Sequence, residues 1–174
     1  RGRLARGRLA PEERIGIFFT DYPDIMRTAN TKSGAATLRL TSFTDYGLRV
    51  LMRMAGQPDR AFTAADLAAE FRVSRNHLAK VISALAAAGL LQTRRGGGGG
   101  ATLARPAQEI RLGDVVAVLE ADQALVECFS DRGNACTLTP RCRLKARLLY
   151  AESAFLADLN RSSLADCVYQ PASA

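Results

Sequence analysis

The chain has 174 residues, of which 48% are hydrophobic and 24% charged, with a formal net charge of +7. That length suffices for one domain with a real core, or for one small domain plus a long appended element. No apolar run reaches the roughly 18 residues of a membrane span. The basic start, RGRLARGRLAPEERIGIFF, lacks the sustained apolar region and small-residue cleavage site of a signal peptide. A cytoplasmic protein is expected, a setting in which cysteines bind metal or react more often than they bridge. The basic excess points to nucleic acid as partner and to no membrane.

Residues 1–37 hold Arg1, Arg3, Arg6, Arg8 and Arg14 among Gly, Pro and Thr, without a sustained helical or strand period. They read as a disordered extension, with a basic DNA-contacting tail as the functional alternative. The fold is expected to begin at Leu38–Thr41, where the true start of the protein would then also lie.

From Thr41 the pattern becomes regular. Leu48, Leu51, Met52 and Ala55 recur at the spacing of an amphipathic helix, and Gly56 and Pro58 stop it. Thr63 is placed to cap a second helix that buries Leu67, Ala68 and Phe71, with Asp66 three residues on as a weak version of the capping box. The turn Arg72-Val73 leads to Ser74, a good N-cap for a third helix whose inner stripe is Leu78, Val81, Ile82 and Leu85. Two short helices around a tight turn form a helix-turn-helix pattern.

The outward residues of the third helix carry the DNA reading. Ser74, Arg75, Asn76, His77 and Lys80 sit at its start or opposite its apolar stripe. Arg and Asn suit paired hydrogen bonds to guanine and adenine edges, and Lys suits phosphate. The single histidine, His77, reads as a DNA contact or a solvated residue rather than a metal ligand. Leu90 to Arg95 and Ala101 to Arg105 then read as two short strands around the five glycines 96–100. A hairpin flanked by Arg94, Arg95 and Arg105 directly after a reading helix is a wing. The expected fold is mainly α with a small β wing: a winged helix-turn-helix over 38–120.

After Pro106, Leu112, Val115, Val116 and Leu119 give another helical stripe, expected on the first helix. Residues 121–142 are cysteine-rich. Over 143–174, Leu144, Leu148, Ala151, Phe155 and Leu159 mark a helix of nearly five turns. It is long for so small a domain to cover, so a homodimer joined along this helix is expected, with a helix folded back on its own domain as the alternative.

Cys128, Cys136 and Cys142 are spaced C-x7-C-x5-C. Zinc sites show closer pairs or additional histidines, and a disulfide would leave one thiol out. Iron–sulfur clusters accept wider spacings because each thiolate binds its own iron. Cys142 lies at the start of the long helix, where the dipole favours a thiolate, and Arg141, Arg143 and Lys145 add positive charge. Three cysteines leave one iron position for a non-cysteine ligand or a small reactive gas. Cys167 reads as a packing residue. A cluster-free regulator whose thiols sense oxidants stays open; a thiolate enzyme is poor, since no histidine base lies near the cysteines.

Here the chain resembles the iron–sulfur winged-helix regulators of bacteria, over about Leu38 to Val168. The resemblance rests on LRLTSFTDYGLRVLM (38–52), VSRNHLAKVISALAAAGLL (73–91), GGATLAR (99–105) and, most specifically, LVECFSDRGNACTLTPRCRLKARL (125–148). The C-x-L-x-P-x-C-x-L-K arrangement from Cys136 to Lys145 is similar to the nitric-oxide-sensing NsrR branch. The cluster-biogenesis (IscR) branch carries a histidine where this chain has Lys145. The resemblance implies a dimer with Cys128, Cys136 and Cys142 as cluster ligands and Asp45 as fourth ligand given by the partner subunit. Read from the residues alone, Asp45 is a first-turn helix residue suited to the dipole. The implied protein is not an enzyme. It is a repressor of double-stranded operator DNA holding a [4Fe–4S] rather than a [2Fe–2S] cluster, released when nitric oxide attacks that cluster. A regulator of cluster status is the alternative within the family.

Overall fold

The computed structural model describes residues 39–94, 96, 99–130 and 133–169. The extension expected over 1–37 lies outside them, as do Arg95 and two wing-tip glycines. In order come α1 (Ser42–Ala55), α2 (Ala64–Phe71), α3 (Arg75–Ala87), β1 (Leu91–Arg94), β2 (Gly100–Leu103), α4 (Leu112–Leu119) and α5 (Arg143–Leu159), with short 3-10 turns between and after them. Among the described residues no helix is long and apolar enough to cross a membrane.

Local chemistry fixes the helix ends. Thr41 caps α1, its hydroxyl accepting the Thr44 N–H at 3.2 Å. The Thr41 N–H and hydroxyl donate to Glu120 at 2.8 and 3.0 Å, tying the start of α1 to the end of α4. The expected capping box at α2 is complete: the Thr63 hydroxyl accepts the Asp66 N–H at 3.1 Å, and Asp66 accepts the Thr63 N–H at 3.0 Å. Hydrogen bonds from the Thr63 backbone and then its side chain hold the Asp66 carboxyl below its ordinary value of 3.8. A depressed carboxyl stabilises the fold above that value and loses its contribution as pH falls below it, so this cap is intact at neutral pH.

The helix-turn-helix corner bends at Arg72, which adopts left-handed geometry (φ 56°, ψ 44°) while the Val73 N–H reaches back to the Ala68 carbonyl at 3.1 Å. That conformation costs a residue with a Cβ about 1 kcal/mol. Arg72→Gly is therefore expected to stabilise the fold by about 0.5 kcal/mol, the gain being trimmed by glycine's larger unfolded-state entropy. A lower denaturation midpoint in the variant would contradict this reading of the corner. Gly89, at φ 71°, ends α3 as its sequence position suggested.

The core is one cluster to which Val50, Leu51 and Met54 contribute from α1, Leu67 from α2, Leu78, Val81, Ile82 and Leu85 from α3, and Val115 and Leu119 from α4, with Phe62, Ile110 and Leu164 from the connections. Burying each such side chain contributes about 1.5–3 kcal/mol. The inner stripe of α3 is as read from the sequence. The stripe of α1 is not: Thr44, Gly47, Val50, Leu51, Arg53 and Met54 are buried, whereas Leu48, Met52 and Ala55 are only half-buried. Packing explains the shift. α1 is met by α3, α4 and the segment after α5, and at Gly47 the Leu119 side chain occupies the place of a Cβ.

The wing is an antiparallel pair in the register Leu91↔Leu103 to Arg94↔Gly100. Its first strand starts one residue later than the sequence suggested and its second strand is shifted, while Arg95, expected to end the first strand, lies outside the described residues. Phe62 fastens its base, exchanging backbone hydrogen bonds of 2.9 and 2.8 Å with Ala101.

Candidate nucleic-acid interface and metal centre

Ser74 caps α3 by accepting the His77 N–H at 3.2 Å, which sets the first turn of the reading helix. Arg75, Asn76 and Lys80 are exposed, and so are Arg94 on β1 and Arg105 just beyond β2. These exposed side chains are of the types that a groove-reading helix and a backbone-tracking hairpin use. Arg95 lies outside the described residues.

His77 does not share that exposure. Its ring is half-buried, edge-on to Tyr46 at 5.2 Å and to Phe43 at 6.2 Å between centroids, and its Nε2 is buried without a hydrogen-bond partner among the described residues. The expectation of an outward histidine is corrected to this extent: the side chain fastens α3 to α1. Its place in the chain put it at the start of the third helix, but nothing in its spacing announced two aromatic rings from α1.

Sequence reasoning missed Arg53. A cation in the last turn of a helix reads as a partner of the dipole. In the structure Arg53 is 3% exposed, its Nε bonded to both oxygens of Glu70 at 2.7 and 3.1 Å, and its guanidinium lies 4.8 Å from the centre of the Phe62 ring. This cation joins α1, α2 and the base of the wing.

The cysteine loop leaves the core after α4. A 3-10 turn, Glu127–Phe129, carries Cys128. Glu127 accepts the Ala135 N–H at 2.9 Å, and Asn134 accepts the Cys136 N–H at 3.0 Å and donates to Thr139 at 2.7 Å. Cys142 is the N-cap of α5, its Sγ accepting the Lys145 N–H at 3.4 Å. Lys145 reaches back over the Phe129 ring at 5.9 Å. Cys128, Cys136 and Cys142 are free and half-buried. At Cys167, burial and then the neighbouring Asp166 carboxylate push the thiol above its ordinary value and so disfavour the thiolate there. Asp45 is half-exposed and ion-paired to Arg49 at 2.8 Å, as a first-turn carboxylate is on its own helix.

As a donor set, three unbridged thiols on one loop, with a backbone N–H already aimed at one sulfur, match what an iron–sulfur cluster takes. Among the described residues no three metal-ligating side chains are gathered in one place. The donor chemistry fits; the loop in this conformation is not closed around a centre.

A helix-turn-helix with an exposed polar reading helix and a two-stranded wing is the architecture of a DNA-binding regulator. A profile of the Rrf2 family, described as iron-dependent transcriptional regulators, matches residues 40–170. The chain belongs to the Rrf2 family, and it is therefore a DNA-binding transcriptional regulator and not an enzyme. It is similar to CymR, the global cysteine regulator of B. subtilis, at 25% identity over 75% of this chain and 95% of that one, with a TM-score of 0.59. The fold is shared with T. potens IscR (24% identity, 76% and 88% covered, TM-score 0.59) and with the oxidised form of Staphylococcus aureus CymR (20%, 78% and 100%, TM-score 0.57).

Proposed function

We propose that this regulator is a homodimeric repressor of the NsrR type, whose operator binding is gated by nitric oxide at an iron–sulfur cluster. The observation that carries the reading is the loop itself: three free thiols between the core and the N-cap of α5, in an Rrf2-family chain with Lys145 at the position of the biogenesis-branch histidine. Cys128, Cys136 and Cys142 would hold the cluster, [4Fe–4S] rather than [2Fe–2S], with Asp45 completing it across the dimer. When bound, the cluster would supply an iron held by a carboxylate in place of a thiolate, the position at which a small reactive gas would attack.

The chain's own residues do the rest. The winged domain (38–120) reads DNA, the loop (121–142) tethers the start of α5, and α5 joins the two copies. Leu144 and Tyr150 are 64% and 69% exposed and no residue of α5 is itself buried, so a second copy is the natural cover. Arg75 and Asn76 would contact base edges; Lys80, Arg94, Arg95 and Arg105 would follow the phosphates. With the loop tethered, the two α3 helices are held at the spacing of successive major grooves. With the tether released, that spacing relaxes and affinity falls, a coupling of about 1–3 kcal/mol.

The test starts from an operator selected out of random duplex DNA by anaerobically purified protein. Nitric oxide should weaken binding to it by roughly 5- to 150-fold; unchanged binding would remove the gas as effector. Arg75→Ala should lower affinity for that operator by about 1–3 kcal/mol while scarcely changing affinity for unrelated DNA. Equal losses on both sequences would reassign Arg75 to the phosphates.

A second reading is favoured by the open loop. A cluster-free regulator whose thiols pair under oxidants requires no three-ligand site among the described residues. It predicts a colourless protein whose DNA binding is restored by a dithiol reductant.

A further inference from the structure

The apolar stripe of α5 accounts for a partner, but the other end of this helix carries contacts that the repressor reading does not use. α4 opens without a side-chain cap of its own, since Arg111, its N-terminal flanking residue, makes none. The cap comes from Asn160, the residue that closes α5. The Asn160 Oδ1 accepts the Asp114 N–H at 3.0 Å, and its Nδ2 donates to Asp114 Oδ1 at 2.8 Å. Gly113 is buried at this crossing, and a Cβ there would stand 2.6 Å from Asn160 Oδ1 and collide with the Leu156 carbonyl. The backbones of α4 and α5 therefore meet at a distance only glycine permits.

The chain then doubles back to lock the crossing. The Leu112 N–H donates to the Ser162 carbonyl at 3.2 Å and the Leu164 N–H to the Ile110 carbonyl at 2.8 Å, around an antiparallel bridge between Arg111 and Ser163. Leu164 is fully buried in the core. Residues 156–164 are thus bolted to the winged domain. By contrast, Leu144, Leu149 and Tyr150 toward the other end are exposed. From Leu156 back to Arg143 the helix rises about 20 Å, and Cys142 sits at that far end.

We propose that Gly113 and Asn160 are positioning residues: their joint fixes the direction in which α5 leaves the winged domain, and so sets the DNA half-site spacing that the dimer selects. On an arm of about 20 Å, a change of direction of roughly 10° displaces the Cys142 end by about 3–4 Å, a base-pair step of DNA. The inference rests on the α5 dimer of the repressor reading. The joint is the fulcrum through which events at the cysteine loop reach the reading helices.

The experiment uses the full chain and a set of duplexes carrying the selected operator with its two half-sites moved one or two base pairs closer or further apart, beside a duplex with a single half-site. Wild type should bind one spacing at least tenfold better than its neighbours. Gly113→Ala, which must push the helices apart, should shift that optimum or flatten it to within about threefold, with single-half-site affinity unchanged. Asn160→Ala, which removes the two side-chain bonds and introduces no clash, should flatten it in the same way, and covers the case in which Gly113→Ala fails to fold. Variants that keep the wild-type optimum, or that lose single- and double-site affinity in parallel, overturn the proposal while leaving the repressor reading standing. A wild-type protein that binds DNA as a monomer with no spacing preference overturns both, and sedimentation of the free protein identifies that case.

Discussion

Cys136→Ala is expected to give a folded protein that retains iron only at background level after reconstitution with iron and sulfide, and whose operator affinity is indifferent to nitric oxide. Cys136 is half-buried on a loop outside the core, and the bonds that shape that loop run from Glu127 to Ala135 and from Asn134 to Cys136 and Thr139 through backbone and other side chains. Losing the thiol therefore costs the fold about 0.5 kcal/mol or less. Losing it as a ligand leaves two loop thiolates, and Cys167, in the 3-10 turn beyond α5 and with its thiolate disfavoured by burial, does not belong to that loop. Iron per chain together with operator affinity with and without the gas checks this. A variant that stays brown and responsive would assign the ligands elsewhere.

Glu70→Ala is expected to be the most destabilising surface-proximal substitution, at about 2–4 kcal/mol. Arg53 has only 4% of its side chain exposed, Glu70 31%, and the Arg53 Nη1 is already buried without a hydrogen-bond partner among the described residues. Removing the carboxylate strands a desolvated cation against the Phe62 ring. The partial exposure of Glu70 lets water relieve some of the penalty, which keeps the estimate below that of a fully enclosed pair. Thermal unfolding should drop by about 10 °C. Because Phe62 also holds the wing through Ala101, wing amides in the variant should lose hydrogen-exchange protection before those of α3. A change under about 0.5 kcal/mol would mean that Arg53 has another partner.

What the sequence disclosed and what it concealed follow one physical line. Features set within a few residues were legible: the Thr63–Asp66 box, the Ser74 cap, the stop at Gly89, the inner stripe of α3 and the hairpin around its glycines. These depend on spacing alone. Hidden were features made by distant segments meeting. Arg53 reads as a last-turn cation facing the helix dipole until Glu70 and Phe62 close on it. His77 reads as a reading-helix side chain until Phe43 and Tyr46 turn it inward. Gly113 reads as an ordinary helix glycine, and only the return of the chain through Asn160 shows why a Cβ is forbidden there. The candidate metal centre lies between: its donors are visible in the spacing of Cys128, Cys136 and Cys142, its closure is not.

The most direct test of the gated-repressor account is the absorption spectrum of anaerobically purified protein, recorded while nitric oxide is titrated against it on its selected operator. The account predicts a brown protein whose broad visible band changes with a few equivalents of gas per chain, with release of DNA over the same range. A colourless protein that takes up no iron on reconstitution, yet binds the operator and ignores the gas, would contradict it.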